Sequence, residues 1–315
     1  MNKHLYDILR LLRPRQWVKN LAIFAAVTFT GELFNPVATI PVIIGFFVFC
    51  GISSASYIIN DIIDVKNDRM HPFKKFRPLA HGDVNIKFAA FLAFFLIVMS
   101  LGLASLVNPT FFLFIIGYLL LQIFYSTYLK TIPVIDILAI AAGYILRVYG
   151  GEFASGYHIS VWLLLTTISI SLFLAIGKRR SELTLLTAIK NANIAATRKT
   201  LSHYSERLLD VYASIFATST FITYALFTFL ENPTGIHLSL GGVLTPDLLP
   251  GIFQRKWLML TIIPVVYGLM RYLQDIYEKN EGESPEKVLF SDKPLLIAIA
   301  IWVFMVIFII YFIGS

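Results

Sequence analysis

The sequence predicts an all-α, polytopic membrane protein: a bundle of nine transmembrane helices. Three observations predict it. Only 14% of the residues are charged and the mean hydropathy is +0.74, whereas a soluble domain carries about 25% charged residues. Apolar runs recur from end to end, which excludes a soluble domain with one anchor. The basic residues also fall on alternate connections between those runs.

A crossing helix needs about 20 mainly apolar residues. The runs place spans at roughly 20–34, 40–60, 87–106, 110–127, 133–150, 160–177, 209–230, 256–275 and 294–314. The first is short. Lys3, Arg10, Arg13, Arg15 and Lys19 precede it and no small-x-small cleavage site follows, so it reads as an uncleaved first span. The eighth contains Pro264, a residue at which a helix can kink. Cys50, the single cysteine, lies inside an apolar run. It excludes an intrachain disulfide and a thiolate metal cage, and reads as a packing residue. The outer connections are rich in breakers, the longest being "ENPTGIHLSLGGVLTPDLLPGIFQRK".

With the N-terminus inside, the inner segments are 1–19, 61–86, 128–132, 178–208 and 276–293. They and their edges then hold every Lys and Arg except Arg147, Arg255 and Lys256. The positive-inside rule therefore predicts a cytoplasmic N-terminus and an outer C-terminus. The net charge of +7 is accounted for by topology. Basic residues spread over separate membrane-edge loops, without a nucleic-acid motif, exclude nucleic acid as a partner. One integral membrane domain covers 1–315, and the sequence leaves open whether it forms a homo-oligomer.

Charge of the other sign gathers where the second span ends. Asp61, Asp64 and Asp68 stand at i, i+3 and i+7, on one helix face, with the Asn60 amide beside them. Each like-charge neighbour costs a few tenths of a kcal/mol even on a wet helix, and an unpaired Asp at mid-bilayer about 2.5–3.5 kcal/mol. A cation must offset this. Mg²⁺ is suited to it, since it takes oxygen ligands, typically one or two carboxylates plus substrate phosphates. Pairing with Lys66, Arg69, Lys74 and Arg77 in a solvated loop is the bland alternative.

The stretch "NDIIDVKND" (60–68), followed by "RPLAHGD" (77–83), resembles the first aspartate motif of the UbiA superfamily of membrane prenyltransferases. Four more stretches narrow the resemblance: "LRPRQWVKN" (12–20), "DRMHPFKKFRP" (68–78), "YSTYLKTIPVID" (125–136) and "GKRRSEL" (177–183). Together with "RYLQDIYEKNEGESPEKVLFSDKPL" near the end, they resemble the decaprenyl-phosphate phosphoribosyltransferase branch over nearly the whole chain. The resemblance implies a nine-helix bundle with a cytoplasm-facing cavity, in a bacterial inner membrane. It implies transfer of 5-phosphoribose from phosphoribosyl diphosphate to a polyprenyl phosphate, with release of diphosphate, supplying lipid-linked pentose to envelope glycans.

On that resemblance Asp61, Asp64 and Asp68 would hold Mg²⁺, and Asp136 would complete the catalytic carboxylates. Lys19, Asn60, Arg69, Lys74, Arg77, Tyr125, Lys130, Lys178 and Arg179 would bind substrate, with bidentate phosphate contacts best suited to Arg69, Arg77 and Arg179. The nucleophile is an anionic phosphate oxygen, so no strong general base is needed. Asp136, just inside the fifth span, calls for a metal or Lys130 as partner. Arg147 calls for a carboxylate or a helix end. Lys75, Arg180, Lys190, Arg198 and Lys199 read as charges touching lipid headgroups, and His71 as a loop-shaping residue.

The second motif holds one acid and one base, Asp136 and Lys130, where aromatic prenyltransferases carry two or more acids. An aromatic or haem prenyltransferase with a prenyl diphosphate donor is the alternative on the same scaffold. A secondary transporter would require inverted repeats and mid-membrane acids; the sequence has no such symmetry, and its acids cluster at one edge.

Overall fold

The computed structural model describes residues 3–70, 74–187, 199–231, 256–278, 288 and 291–313. Among them there are helices and connections and no strand. Eight helices are long and apolar enough to cross a membrane. In chain order the α-helices are α1 (Lys3–Leu12), α2 (Ala25–Phe29), α3 (Pro36–Met70), α4 (Pro78–His81), α5 (Ile86–Val107), α6 (Pro109–Thr127), α7 (Ile135–Ser155) and α8 (Val161–Thr187). They continue with α9 (Glu206–Leu230), α10 (Ile262–Glu278) and α11 (Lys293–Phe308), the last running into a π-helical turn, Ile309–Ile313. His71, Pro72, Lys190, Arg198, Arg255 and the long connection 232–255 lie outside the described residues, as does the Lys199 side chain.

The expected first span at 20–34 takes another form. A 3₁₀ helix, Pro14–Phe24, leads into the five-residue α2. The 3₁₀ coil rises about 2.0 Å per residue against about 1.5 Å for an α-helix, so the two together extend roughly 30 Å. Arg13, with φ 54°, turns the chain out of α1 into this segment. The segment packs tightly on α7: a Cβ at Gly151 would run into the carbonyl oxygen of Ile23. Its inward face carries Asn20, Ile23, Ala26 and Val27, all fully buried.

Caps written in the sequence set several boundaries. Asn85 accepts from Lys87 N at the start of α5, and Asn108 from Phe111 N at the start of α6, where Pro109 fills the first position. Asp292 accepts from Leu295 N and takes a two-pronged ion pair from Arg271. Gly156, at φ 77°, closes α7. The break expected at Pro264 falls at a change of helix type. Pro264 sits in the first turn of α10, just after a short 3₁₀ turn (Trp257–Thr261), where its missing N–H costs little.

α3 outruns its predicted span by ten residues at the C-terminal end, so the aspartates ride on the helix itself. At 35 residues it is about 52 Å long, more than the bilayer's hydrocarbon thickness. One core cluster joins α3, α6 and α7 with the 3₁₀ segment around Phe49, Phe111 and Tyr118. Another joins α7, α8, α9 and α10 around Phe173, Ile176 and Tyr272. An apolar groove of about 340 Å³ between α3 and α5, lined by residues such as Ile59, Ile62 and Phe94, presents no charged side chain.

Candidate active site

The charged stretches meet at one end of the bundle. The C-terminal turns of α3, the 74–85 connection, the turn before α7 and the end of α8 exchange ion pairs there. Links elsewhere in the bundle among the described residues include Glu152 with His158, Asn108 with the Phe153 carbonyl, and Tyr311 with the Leu33 N–H.

Asp61 and Asp68 are buried on α3, at 2% and 5% exposure. Asp61 takes Arg13 Nη2 on both oxygens, at 2.7 and 2.8 Å. Arg77 Nη1 stands 3.0 Å from Asp61 Oδ1 and 2.7 Å from Asp68 Oδ2. One cationic nitrogen thus occupies the point where two carboxylates converge. Burial lowers the Arg13 pKa, but the Asp61 carboxylate more than offsets this and leaves it above its ordinary value. Arg13 is a residue that sequence reasoning missed. It lies within the quoted "LRPRQWVKN", but nothing in a single chain marks it as the partner of an aspartate 48 positions away.

Asp64 faces elsewhere. Lys130 Nζ donates to both its oxygens, at 2.7 and 2.8 Å, and to Asn60 Oδ1 at 3.2 Å. The expected three-carboxylate metal cage is therefore not assembled: among the described residues no group of three His, Cys, Asp or Glu side chains converges on one point. The pairing partners also differ from the bland alternative, for Arg13 and Lys130 replace Lys66 and Arg69. Lys66 is exposed, and Arg69, also exposed, donates to the Ala80 carbonyl.

What remains still fits a divalent cation. Asp61 Oδ1 and Asp68 Oδ2 are hard oxygen donors already drawn to a shared positive centre. Two carboxylates completed by substrate phosphates are a usual Mg²⁺ arrangement.

The second motif forms a buried network of its own. Asp136, fully buried, accepts from Arg179 Nε at 2.7 Å and from Tyr204 Oη at 2.7 Å. Lys130, one of the expected partners, is held by Asp64 instead. Arg179, likewise fully buried, also donates to Glu182 Oε2 (2.8 Å) and Tyr125 Oη (3.3 Å). It is committed to protein carboxylates, where a phosphate contact was expected. Lys74 Nζ reaches Glu182 at 3.7 Å and so ties this network to the connection bearing Arg77. Lys178 is half-buried one position before Arg179. Arg180, expected at the lipid surface, instead pairs with Asp210 (2.7 Å) and Glu206 (3.1 Å) on α9.

The turn between Lys130 and Asp136 is strained. Val134 has φ 69° and ψ −48°, while Ile135 N donates to the Pro133 carbonyl at 2.8 Å. That is a γ-turn with positive central φ, a rare form and an unfavourable one for a β-branched residue. Val134 N donates to Tyr204 Oη at 2.6 Å. Burial pushes the Tyr204 phenol up to about 12, so it stays protonated and can donate to Asp136 at neutral pH. Sequence reasoning missed Tyr204.

Lys19 Nζ donates to Gln16 Oε1 at 2.7 Å. Arg147, expected to meet a carboxylate or helix end, instead donates to the Asn20 amide oxygen, the Tyr118 hydroxyl and the Gly143 carbonyl. Asn20 Nδ2 also reaches Cys50 Sγ at 3.3 Å, so the cysteine packs and accepts a weak hydrogen bond.

Comparison with known proteins agrees with this picture. The pattern of the UbiA prenyltransferase family matches residues 21–292. The decaprenyl-phosphate phosphoribosyltransferase of Corynebacterium glutamicum is 35% identical, covering 98% of this chain and 88% of its own length. Its namesake from Mycolicibacterium smegmatis is 32% identical, over 94% and 90%. Among solved structures, a UbiA homolog from Archaeoglobus fulgidus bound to GPP and Mg²⁺ superposes with a TM-score of 0.69 at 21% identity, covering 96% of this chain and 99% of that one. The fold is thus shared, and sequence similarity at this level runs through the whole bundle. The chain belongs to the UbiA prenyltransferase family and is a transferase.

Proposed function

We propose that this protein transfers 5-phosphoribose from phosphoribosyl diphosphate to a polyprenyl phosphate and releases diphosphate. One observation carries the reading. A pair of buried carboxylates, Asp61 and Asp68, shares a cation at the polar end of a membrane bundle, with further cations around them. Relatives named decaprenyl-phosphate phosphoribosyltransferase, at 31–35% identity over at least 94% of the chain, supply the choice of donor and acceptor.

Asp61 and Asp68 would hold Mg²⁺, with Asp64 joining when Lys130 releases it. A Mg²⁺ ion held there would supply Lewis-acid neutralisation of the charge on the departing diphosphate. The chain supplies the rest. Arg13, Arg77 and Lys130 hold charged N–H donors beside the carboxylates, able to turn to phosphate oxygens. Tyr125, fixed by Arg179, offers a hydroxyl at the rim. Apolar helices exclude water from the ribose C1 as it gains positive character. The attacking lipid phosphate is already an anion, so proton removal is not required.

The same reading sets the chain in a bacterial cytoplasmic membrane with the site facing inward. The 3₁₀ segment and α2, roughly 30 Å long, serve as a ninth crossing. The N-terminus then lies inside and the C-terminus outside. The product would supply lipid-linked pentose for envelope glycans.

The test incubates membranes bearing the protein with polyprenyl phosphate and phosphoribosyl diphosphate labelled in the ribose. Mg²⁺-dependent entry of label into the lipid fraction is expected. Absence of lipid label, with transfer from labelled prenyl diphosphate to an aromatic acceptor instead, overturns the reading.

A further inference from the structure

Arg147 lies within α7 at 5% exposure. Its bonds to Asn20 Oδ1 (2.7 Å), Tyr118 Oη (2.7 Å) and the Gly143 carbonyl all go to neutral acceptors. Among the described residues no carboxylate pairs with it. A guanidinium has five N–H donors, so three bonds leave two. A cation inside a membrane bundle with only neutral partners is costly to keep, and such residues mark ligand pathways.

A second cation borders the same ring as Arg147. Lys19 Nζ and Arg147 Cζ stand 5.9 and 5.7 Å from the centroid of one ring, Tyr144. Gln16, which holds Lys19, also accepts from Tyr57 Oη at 3.4 Å, and the Tyr57 ring carries Arg13 at 5.1 Å. Tyr57 is one helical turn before Asp61 on α3. A line of cations therefore runs from the Asp61–Asp68 end into the bundle. Lys19, Gln16, Tyr57 and Tyr144 are half-buried, so they border space within reach of solvent. Gly143 lets the guanidinium lie close against the backbone: a Cβ there would touch Arg147 Nη1 and Gln122 Nε2, each at 3.4 Å.

We propose that Arg147 and Lys19 form a phosphate-monoester subsite inside the bundle, inward of the Asp61–Asp68 end. The planar fork of Arg147 suits two oxygens of one phosphate, and Lys19 adds a point charge. Given phosphoribosyl diphosphate as donor, the reading on which this assignment rests, the bound group is the donor's 5-phosphate. The subsite then sets specificity. A donor that ended in hydrocarbon here would leave the Arg147 guanidinium without an anion.

The test follows thermal unfolding of the full chain in detergent, for wild type, Arg147→Gln and Lys19→Gln. The probes are ribose 5-phosphate, a short polyprenyl phosphate, and diphosphate with Mg²⁺. Ribose 5-phosphate is expected to raise the wild-type midpoint. Either substitution should raise its half-saturating concentration tenfold or more, with the response to diphosphate and Mg²⁺ unchanged. A ribose 5-phosphate response that survives both substitutions overturns the subsite. Loss of the polyprenyl phosphate response instead overturns its assignment to the donor. Wild type that binds ribose 5-phosphate yet transfers no ribose to lipid leaves the subsite standing and removes the functional reading. If Arg147→Gln does not fold, Arg147→Lys and Lys19→Gln decide: both must weaken ribose 5-phosphate, since a purely structural Arg147 would leave Lys19→Gln without effect.

Discussion

Arg13 grips Asp61 with one nitrogen, Nη2, at 2.7 and 2.8 Å from its two carboxylate oxygens. Arg77 shares Asp61 with Asp68. In the free protein, then, basic side chains do the neutralising that the sequence leads one to assign to a metal alone. Any divalent cation entering must displace them.

Arg13→Gln should therefore strengthen the binding of Mg²⁺ alone, roughly tenfold if about 1.4 kcal/mol of competition is removed. With diphosphate present the sign should reverse, because a freed Arg13 is a phosphate donor in the wild type. Isothermal titration of Mg²⁺ with and without diphosphate measures both. Arg13 is held above its ordinary pKa and stays charged, so its own charge does not change with assay pH. Equal Mg²⁺ affinity in variant and wild type would refute the competition.

Asp61→Ala and Asp68→Ala should each cut turnover by roughly a hundredfold or more, as several kcal/mol of leaving-group stabilisation are lost. Asp64→Ala should be milder in the free protein's metal binding, since Asp64 is engaged with Lys130 and stands apart from the convergence point. Lys75, exposed and set over the neighbouring Phe76 ring, is the control: Lys75→Ala should leave turnover within about twofold. Initial rates over a Mg²⁺ series, with membrane insertion checked by protein yield, separate these cases. Near-normal turnover of Asp68→Ala at ordinary Mg²⁺ would remove it from the metal site.

Much of this was legible in the chain. The apolar runs gave the bundle, and the i, i+3, i+7 aspartates gave the polar end, because both are local periodicities. What was hidden depends on partners distant in sequence. Arg13 meets Asp61 across 48 positions and Arg179 meets Asp136 across 43. An isolated guanidinium in a list of basic residues looks the same whether it will hold a phosphate or a carboxylate. The same limit explains Asp64, read on one face with Asp61 and Asp68 but drawn away by Lys130, which comes from another helix end 66 positions away. The 3₁₀ segment was hidden for a different reason, since an apolar stretch of that length carries no periodicity that separates 3.0 from 3.6 residues per turn.

Tyr204 is expected to act as a positioning residue for the turn that carries Lys130. Its hydroxyl accepts from Val134 N and donates to Asp136, across a γ-turn that costs about 1–3 kcal/mol to hold. Tyr204→Phe should raise the donor KM about tenfold with less effect on the acceptor KM. Val134→Gly should rescue it, because glycine adopts φ 69° without the steric cost. Steady-state kinetics on the two single variants and the double variant measure this. A double variant no better than Tyr204→Phe would place the effect of Tyr204 outside the turn.

The contact between Gly151 and Ile23 joins α7 to the 3₁₀ segment that delivers Arg13, Lys19 and Asn20. A methyl group at Gly151 would overlap the Ile23 carbonyl oxygen, a backbone atom that no rotamer change can move aside. Gly151→Ala should therefore push the 3₁₀ segment off α7, stretch the Arg147–Asn20 bond and destabilise the bundle by about 1–3 kcal/mol, the usual scale of overpacking. Gly117→Ala is the matched control, since nothing lies within 4 Å of a Cβ there. Thermal unfolding in detergent should show a lower midpoint for Gly151→Ala alone, with Arg13–Asp61 contact loosened enough to raise affinity for Mg²⁺ by itself. A Gly151→Ala protein with the wild-type midpoint would mean that the 3₁₀ segment is not held against α7 as the geometry requires.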